Sequence, residues 1–358
     1  MATTMTPWER FTTAARMGIP DQVPFMPFVT GHFFAWFLGI EEGDYWDSPE
    51  NKLKAQVAFQ ESWPDLMLYP GIYWDYSVAV EPSALGAGIH FPPNASPHVE
   101  PFLKSASRDE ILAREPGDPY RDGLMPRALD TLKYMLEHCP RKWIDQYGYL
   151  AGAGATLGPT DVAGLCRGYD RFSMDLYRDP QLAHHLMTIA TETCIRYLHA
   201  QQEIGGPFHR FQVADDSLAF LSPKHFSEFS LPYLQRIFAE FKGEAIGILH
   251  CDTNSSHLLD VIADVGMDVF NYGPELDTAS VKQKIGERVC LLGNLDPLGA
   301  LLNGTADKVE ADCKRLIEIG KPDGGFILTM GSGTARGTSQ KNIGAMRNAA
   351  LRYGRYDR

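Results

Sequence analysis

The stretch Ala245-Ile246-Gly247-Ile248-Leu249-His250-Cys251-Asp252-Thr253-Asn254 is a short apolar run that ends in polar residues. A run of this length, bounded by polar residues, is typical of a buried strand in a parallel sheet. Side chains alternate along a strand, so His250 and Asp252 are predicted to share one face while Cys251 points to the other. A histidine and a carboxylate that leave a buried strand side by side indicate an active-site strand.

Similar runs recur along the chain, and we predict strands at Val23–Thr30, Asp65–Tyr69, Tyr149–Leu157, Phe208–Asp216, Asp268–Gly273, Val289–Asp296 and Gly325–Gly333. Helical patterns lie between them, among others at Trp8–Met17, Pro49–Trp63, Arg108–His138, Asp179–Gln202 and Ser255–Val265. This alternation, repeated about eight times, predicts parallel strands with helical crossovers.

A closed (β/α)8 TIM barrel of the α/β class, with a short N-terminal helical extension, explains the alternation best. The 358 residues fit one such domain spanning residues 1–358. An open doubly wound sheet is the alternative. That fold would need a glycine-rich phosphate turn after an early strand, and the pattern G-x-G-x-x-G does not occur there.

Composition restricts the classes of function. The net charge of -12 argues against a nucleic-acid-binding surface and disfavours a polyanionic substrate. The sequence has no apolar run of about 18 residues, the length of a membrane span. The start of the chain lacks the basic and apolar segments of a secretory signal, and the six cysteines show no pairing pattern. We therefore expect a cytoplasmic protein with free thiols.

Catalytic groups of a barrel lie at the carboxyl ends of its strands. Polar residues stand at these predicted ends throughout the chain: Asp75, Asp215, Asp216, His250, Asp252, Tyr272, Asn294, Asp296 and Ser332. Any one of them is more readily explained as a capped loop or a satisfied strand end. The convergence of nine polar residues on one rim nevertheless favours an active site for the set.

These residues also carry a resemblance. The chain resembles the uroporphyrinogen decarboxylase superfamily over nearly its whole length. The matching segments are Val23–Pro27, Ala84–Ala87, Gly158–Ala163, Asp215-Asp216 with Leu221-Ser222-Pro223, Ile248–Asn254, Gly293–Pro297, and Met330 with Asn342-Ile343. Each segment is a weak match alone, whereas their order and spacing together are fairly specific. The resemblance implies a TIM barrel, in agreement with the periodic pattern.

One branch of that superfamily comprises the true decarboxylases, which bind a tetrapyrrole with many carboxylates through arginines in a loop after the first strand. This sequence has Thr30-Gly31-His32-Phe33-Phe34 there, without arginine. Because an anionic substrate needs guanidinium or ammonium partners, the resemblance to this branch does not favour porphyrinogen decarboxylation here.

The other branch comprises corrinoid-dependent methyltransferases. Its thiol-using members hold zinc through a His-x-Cys motif after the fifth strand and a cysteine after the eighth. The corresponding positions here are His250, Asp252 and Ser332, so the thiolate pattern is altered to a harder set of His and carboxylate type. Such a set suits zinc, or an acid/base site without metal. We expect His250, Asp252 and either Asp215 or Asp216 as zinc ligands, with Asp215 the first choice.

The resemblance, without the thiol pattern, implies an O-demethylase methyltransferase that transfers a methyl group from a methoxylated substrate to cob(I)alamin on a separate corrinoid protein. Aromatic residues near the expected pocket suit an aromatic substrate; they are Phe33, Phe34, Trp36, Tyr69, Tyr73, Trp74 and Tyr272. We expect catalytic roles for His250, Asp252, Asp216, Tyr272 and Asp75, and cofactor contacts from Asn294, Asp296 and Ser332. The proline-rich loop 92–101 with His98 is expected to frame the docking of the carrier protein.

Two other functions remain open. A decarboxylase or related lyase acting on a carboxylic acid would need Arg167, Arg171, Arg210 or Arg336 to point into the pocket, and Arg210 and Arg336 are the best placed. A non-catalytic docking or substrate-binding subunit would bind ligand without turnover. The oligomeric state is left open, with a homodimer the commonest arrangement among soluble enzymes.

Overall fold

A parallel sheet forms the centre of the computed structural model, which describes residues 5–243 and 245–356. In chain order the strands are β1 (Ile89–His90), β2 (His98–Val99), β3 (Ala153–Leu157), β4 (Arg210–Ala214), β5 (Ile246–Cys251), β6 (Val269–Tyr272), β7 (Cys290–Leu295) and β8 (Phe326–Met330). The last six pair in the order β3-β4-β5-β6-β7-β8, each beside the next strand along the chain. A separate hairpin consists of β1 and β2.

Two extended segments, 23–29 and 66–69, continue the sheet beyond β8. The Met26 N–H donates to Leu328 O (3.0 Å), and the Val29 N–H donates to Tyr69 O (2.9 Å). Pro24 and Pro27 have no N–H to give to their neighbours, so these segments form isolated parallel bridges in place of full ladders. With these two segments the sheet has the eight parallel positions of the predicted TIM barrel, and the α/β fold class is confirmed.

Helices surround the sheet, and α1 is the predicted N-terminal extension. In chain order the α-helices are α1 (Pro7–Ala15), α2 (Gly31–Leu38), α3 (Glu42–Asp47), α4 (Pro49–Ser62), α5 (Val80–Ala84), α6 (Arg108–Leu112), α7 (Met125–His138), α8 (Arg141–Tyr147), α9 (Pro159–Arg167), α10 (Tyr169–Arg178), α11 (Pro180–Gly205), α12 (Pro223–Phe229), α13 (Leu231–Glu240), α14 (Thr278–Ile285), α15 (Ala306–Gly320) and α16 (Gln340–Tyr353). Across the described part of the chain, none of these helices is both long and apolar enough to cross a membrane.

The structure interrupts one segment predicted to be mostly helical and replaces one predicted helix. The segment 108–138 is split into α6 and α7 because Pro116, Gly117 and Pro119 interrupt the helical pattern. The predicted helix Ser255–Val265 is replaced by two 3-10 turns, Ser256–Leu258 and Ile262–Val265. There the Asn254 side chain accepts the Ser256 N–H (3.2 Å), a local turn that competes with a helical start.

The buried strands and their register determine where the polar residues at the strand ends lie. Strands β5, β6, β7 and β8 are buried along their whole length, and Ala214 of β4 lies in register with His250 of β5. The ends of β4 and β5 therefore lie side by side at the carboxyl face of the barrel. The start of the chain, where the sequence predicts no secretory signal, includes residues 1–4, which lie outside the described residues.

Candidate active site

Asp216, His250 and Asp252 form a cluster at the ends of β4 and β5. One ligand atom from each lies within 4.8 Å of the others. His250 Nε2 is 3.7 Å from Asp216 Oδ1 and 4.0 Å from Asp252 Oδ2. His250 and Asp252 thus face the same site, as strand alternation predicts, while Cys251 is buried with its Sγ near the carbonyl oxygens of Asp216 (3.9 Å) and Thr253 (3.7 Å).

The orientation of the His250 ring is fixed by Asn271 on β6. Asn271 donates from Nδ2 to Leu292 O (2.8 Å), so its Oδ1 faces His250 Nδ1 at 2.5 Å. An amide oxygen only accepts, and Nδ1 therefore carries a hydrogen. This arrangement leaves Nε2 directed at the two carboxylates. Asn271 was missed in the sequence, although an asparagine within the otherwise apolar run Val269-Phe270-Asn271-Tyr272 was the available signal. The structure shows that it is fully buried.

Asp216 and Asp252, the two carboxylates of the cluster, accept hydrogen bonds from the surrounding loops. The Asp252 N–H donates to Asp216 Oδ1 (2.8 Å), and the Ser332 hydroxyl donates to Asp252 Oδ2. Burial raises the pKa of Asp216 well above its usual value, and the nearby carboxylates of Asp161 and Asp252 raise it further. Asp216 therefore keeps its proton to a higher pH than an exposed aspartate does.

The donor set of the cluster fits a zinc ion. Zinc bonds of about 2.0–2.2 Å to nitrogen and oxygen in a tetrahedral site put neighbouring ligand atoms about 3.3–3.6 Å apart. The observed separations of 3.7 and 4.0 Å exceed this only slightly. His250 also has the second partner, Asn271, that orients metal-bound histidines. A cation there would offset the repulsion that raises the Asp216 pKa.

A cavity of about 180 Å³ opens beside the cluster, between β3–β5 and the segment 73–81. Among the described residues of its lining, none is a lysine or an arginine, whereas three are carboxylates and five are aromatic. The lining consists of Phe28, Thr30, Pro70, Tyr73, Trp74, Asp75, Tyr76, Ser77, Val78, Val80, Glu81, Ala155, Thr156, Leu157, Tyr197, Gln212, Ala214, Asp216 and His250. A larger cavity of about 300 Å³ lies near Arg10, Phe25 and Arg347, and no member of the cluster lines it.

Two further carboxylates line the small cavity. Asp75 accepts N–H groups of Gly31 (3.0 Å) and Ser77 (2.8 Å); burial raises its pKa, while nearby Lys52 opposes the increase. Glu81 accepts the Thr156 hydroxyl (2.7 Å) and a backbone N–H, and burial raises its pKa too. Glu81 was not singled out in the sequence, because it lies in α5 and not at the end of a strand.

Asp215 lies outside the cluster, which corrects our first choice of third ligand. It is fully buried, and its carboxylate accepts the N–H groups of Thr160 (3.1 Å) and Asp161 (2.9 Å). These bonds turn the side chain toward the start of α9. Asp216 takes the place next to His250 that the sequence left open between the two aspartates.

Three other predicted residues are also held away from the cavity. The Tyr272 hydroxyl donates to Thr278 (3.2 Å), and the Asn294 amide bonds Thr278, Gly273 O and Leu276 O. Asp296 accepts the Leu298 and Gly299 N–H groups at the start of the next turn. Tyr272 and Asn294 therefore have structural partners. The cofactor contacts expected of Asn294, Asp296 and Ser332 stay predictions.

The expected aromatic wall is only partly present. Tyr73 and Trp74 line the cavity, and Tyr69 is buried against Phe28, with ring centroids 4.9 Å apart. Phe33 and Phe34 instead pack against Phe59 in the core between α2 and α4. This is the core-helix interpretation that the sequence also allowed.

The arginines needed by a decarboxylase do not line the cavity within the described residues. Arg210, at the opposite end of β4, donates to Pro70 O (2.6 Å) and Gly148 O (3.2 Å). Arg167 pairs with Asp175 at 2.7 Å. Arg336 is largely exposed, with its nearest carboxylate, Glu42, 3.8 Å away.

The barrel, with a polar cluster at the carboxyl ends of its strands, defines an enzyme of the TIM-barrel class. The family model described as uroporphyrinogen decarboxylase (URO-D) matches residues 9–353. The chain therefore belongs to the uroporphyrinogen decarboxylase family.

Individual proteins show the same relationship. The uroporphyrinogen decarboxylase of Thioalkalivibrio sulfidiphilus is 27% identical over 270 residues, which cover 74% of each chain. That of Chlorobium luteolum is 28% identical over 233 residues, covering 62% of this chain and 65% of the relative. Among solved structures, a methyltransferase from Methanosarcina mazei superposes with a TM-score of 0.80 at 24% identity, over 97% of this chain and 98% of the other. That likeness supports the barrel fold.

Proposed function

We propose that this protein is a corrinoid-dependent methyltransferase that removes the methyl group of a methoxylated aromatic substrate. The observation that carries the proposal is the cavity, which joins aromatic walls to the Asp216–His250 pair and has no lysine or arginine among its described lining residues. A neutral aromatic ether fits such a lining, whereas a carboxylate-rich substrate would meet three carboxyl groups, of which Asp75 and Glu81 are buried.

An ether is unreactive because an alkoxide or phenoxide is a poor leaving group. The cluster can supply the proton that a leaving oxygen needs. As the methyl–oxygen bond breaks, its electron pair stays on the oxygen, which must be neutralised. The raised pKa of Asp216 favours its protonated form, and His250 Nε2, 3.7 Å from Asp216 Oδ1, can receive that proton after a small movement. Asp252, held by Ser332, orients the pair.

Two groups from outside the chain complete the proposal. A corrinoid on a separate carrier protein would supply the nucleophile that accepts the methyl group, and the carrier would approach the carboxyl face of the barrel, where the cavity opens. If a zinc ion were bound by Asp216, His250 and Asp252, these ligands would be deprotonated, and Lewis acidity at the ether oxygen would take the place of the proton transfer. The name of the Methanosarcina mazei neighbour, a methyltransferase, is in line with this chemistry.

Decarboxylation is the second candidate, favoured by the names of the curated relatives. It would require a carboxylate to bind in the same cavity. The nearest available guanidinium, Arg336, pairs loosely with Glu42, so a loop movement would have to bring it inward.

One experiment separates these functions. The protein is incubated anaerobically with cob(I)alamin and a panel of methoxyarenes, and in parallel with aryl and tetrapyrrole carboxylic acids. Formation of the methylcobalamin absorption spectrum, without CO2 release from the acids, supports the methyltransferase. Release of CO2 without corrinoid supports the decarboxylase. Ligand binding with neither product would leave only a binding subunit.

A further inference from the structure

Three further polar residues line the cavity beside the cluster: Glu81, Tyr197 and Gln212, which we call the distal triad. Gln212 lies on β4 two residues before Ala214, the residue in register with His250. At about 3.3 Å per residue, this places Gln212 roughly 7 Å deeper in the barrel than the catalytic rim.

Gln212 has an unsatisfied side chain. It forms no side-chain hydrogen bond with any described residue, and its Oε1 is buried without a donor. Buried amides without partners are rare in folded proteins and need an explanation. Because the oxygen and nitrogen of an amide exchange places by a half-turn of the side chain, Gln212 can offer a ligand either an acceptor or a donor.

The other two residues retain hydrogen-bonding capacity. The hydrogen bonds from the Thr156 hydroxyl and the Leu157 N–H both reach Glu81 Oε1, so Oε2 accepts nothing from another described residue. The Tyr197 oxygen accepts the Trp74 indole N–H (3.2 Å), which leaves its own hydroxyl hydrogen to donate. Burial raises the pKa of Tyr197 far above its usual value, so this hydrogen is retained at every physiological pH.

We propose that the distal triad binds a free hydroxyl group on the aromatic substrate, so that the substrate class is the neutral methoxyphenols. A hydroxyl both donates and accepts, which matches a tyrosine donor, an amide and a carboxyl oxygen. A carboxylate in its place would add a fourth acidic group to a cavity without a described lysine or arginine. This inference rests on the proposed methyltransferase function and specifies its substrate.

Binding is measured without corrinoid, by isothermal calorimetry, so that turnover is not required. The ligands are the methoxyphenol isomers, the methoxytoluenes in which a methyl group replaces the hydroxyl, and the methoxybenzoates. We expect at least one methoxyphenol to bind about tenfold more tightly than its methoxytoluene counterpart, because tenfold in affinity corresponds to the net contribution of one buried hydrogen bond. The methoxybenzoates are expected to bind more weakly than either.

Variants locate the effect. Gln212→Leu and Tyr197→Phe should each reduce the preference for the hydroxyl about fivefold or more, without abolishing methoxytoluene binding. Gln235→Leu, the same substitution at an exposed glutamine bonded to Asp264 O, is the matched control and should keep the full preference. Equal affinity for methoxyphenols and methoxytoluenes in the unmodified protein, or an unchanged preference in Gln212→Leu, would overturn the proposal.

Measuring turnover distinguishes failure of the distal triad assignment from failure of the methyltransferase function. If methylcobalamin forms equally well from methoxytoluenes and methoxyphenols, the methyltransferase function stands and the distal triad assignment fails. If methoxyphenols bind selectively and no methylcobalamin forms from any of them, the methyltransferase function fails, and with it the role of these compounds as substrates.

Discussion

Replacing Asn271 by leucine tests how the active-site histidine is oriented. Leucine is similar in size to asparagine but removes the acceptor opposite His250 Nδ1 and the donor to Leu292 O. Each buried group left unpaired costs about 1–3 kcal/mol, so the loss of two partners should lower the free energy of unfolding by roughly 2–6 kcal/mol. The imidazole would also lose its fixed tautomer. Loss of such an orienting partner lowers activity about 10–100-fold.

The assay compares stability and rate in the same preparations. Unfolding is followed in urea, and methyl transfer is measured per folded molecule as kcat/KM. Asn342→Leu is the matched control, since Asn342 is also buried, bonds two carbonyls, those of Leu301 (2.7 Å) and Gly304 (2.9 Å), and belongs neither to the cluster nor to the cavity lining. It should lose similar stability and keep the rate of the unmodified enzyme.

A second variant at the same position checks the cause. Asn271→Asp restores an acceptor opposite His250 Nδ1 and should recover part of the rate lost in Asn271→Leu. If folded Asn271→Leu has the kcat/KM of the unmodified enzyme, the orientation of His250 does not matter for the reaction and the reasoning is refuted.

The remaining predictions concern charge, metal and one residue held away from the cavity. In metal-free protein, burial and two nearby carboxylates raise the Asp216 pKa, so ionisation of Asp216 lowers the stability of the folded state as pH rises. After removal of metal with a chelator, Asp216→Asn should therefore match the unmodified Tm below the unfolded pKa of about 4 and exceed it at higher pH, while losing activity. Equal Tm differences at all pH values would contradict this. Zinc analysis of tag-free protein should show stoichiometric metal that is lost in His250→Ala and kept in Asp215→Asn; metal absent from the unmodified protein would rule the site out. Tyr272→Phe should change kcat/KM less than threefold, since its hydroxyl bonds Thr278, and a loss above tenfold would give Tyr272 a direct role.

Alternation along β5 was enough to predict that His250 and Asp252 share a face, because a regular strand fixes the direction of each side chain. The choice between Asp215 and Asp216 could not be made in this way. Both follow the last residue of β4, where the backbone leaves the strand, and only the N–H groups of Thr160 and Asp161 decide which carboxylate turns away.

The cavity lining was harder to predict than the barrel. Glu81 belongs to a short helix after an irregular segment, and Gln212 lies inside a strand among apolar neighbours. Neither stands at a predicted strand end. Asn294 is the opposite case. It lies at the carboxyl end of a strand, where catalytic residues are expected, but its amide donates to the carbonyls of Gly273 and Leu276 in the loop after β6. Local pattern therefore identified the rim, and the partners of each side chain depended on contacts between distant segments.

The central claim is that Asp216, His250 and Asp252 assist the departure of the ether oxygen. The most direct measurement is the single-turnover rate of methylcobalamin formation by the unmodified enzyme and His250→Ala, each with a methoxyphenol and with its analogue bearing a nitro group para to the methoxy group. The nitro group makes the leaving oxygen less basic, so it needs less help. His250→Ala should lose about 10²–10⁴-fold with the methoxyphenol, the usual contribution of acid catalysis, and far less with the nitro analogue. An equal loss with both ethers, or no loss with either, would contradict the claim.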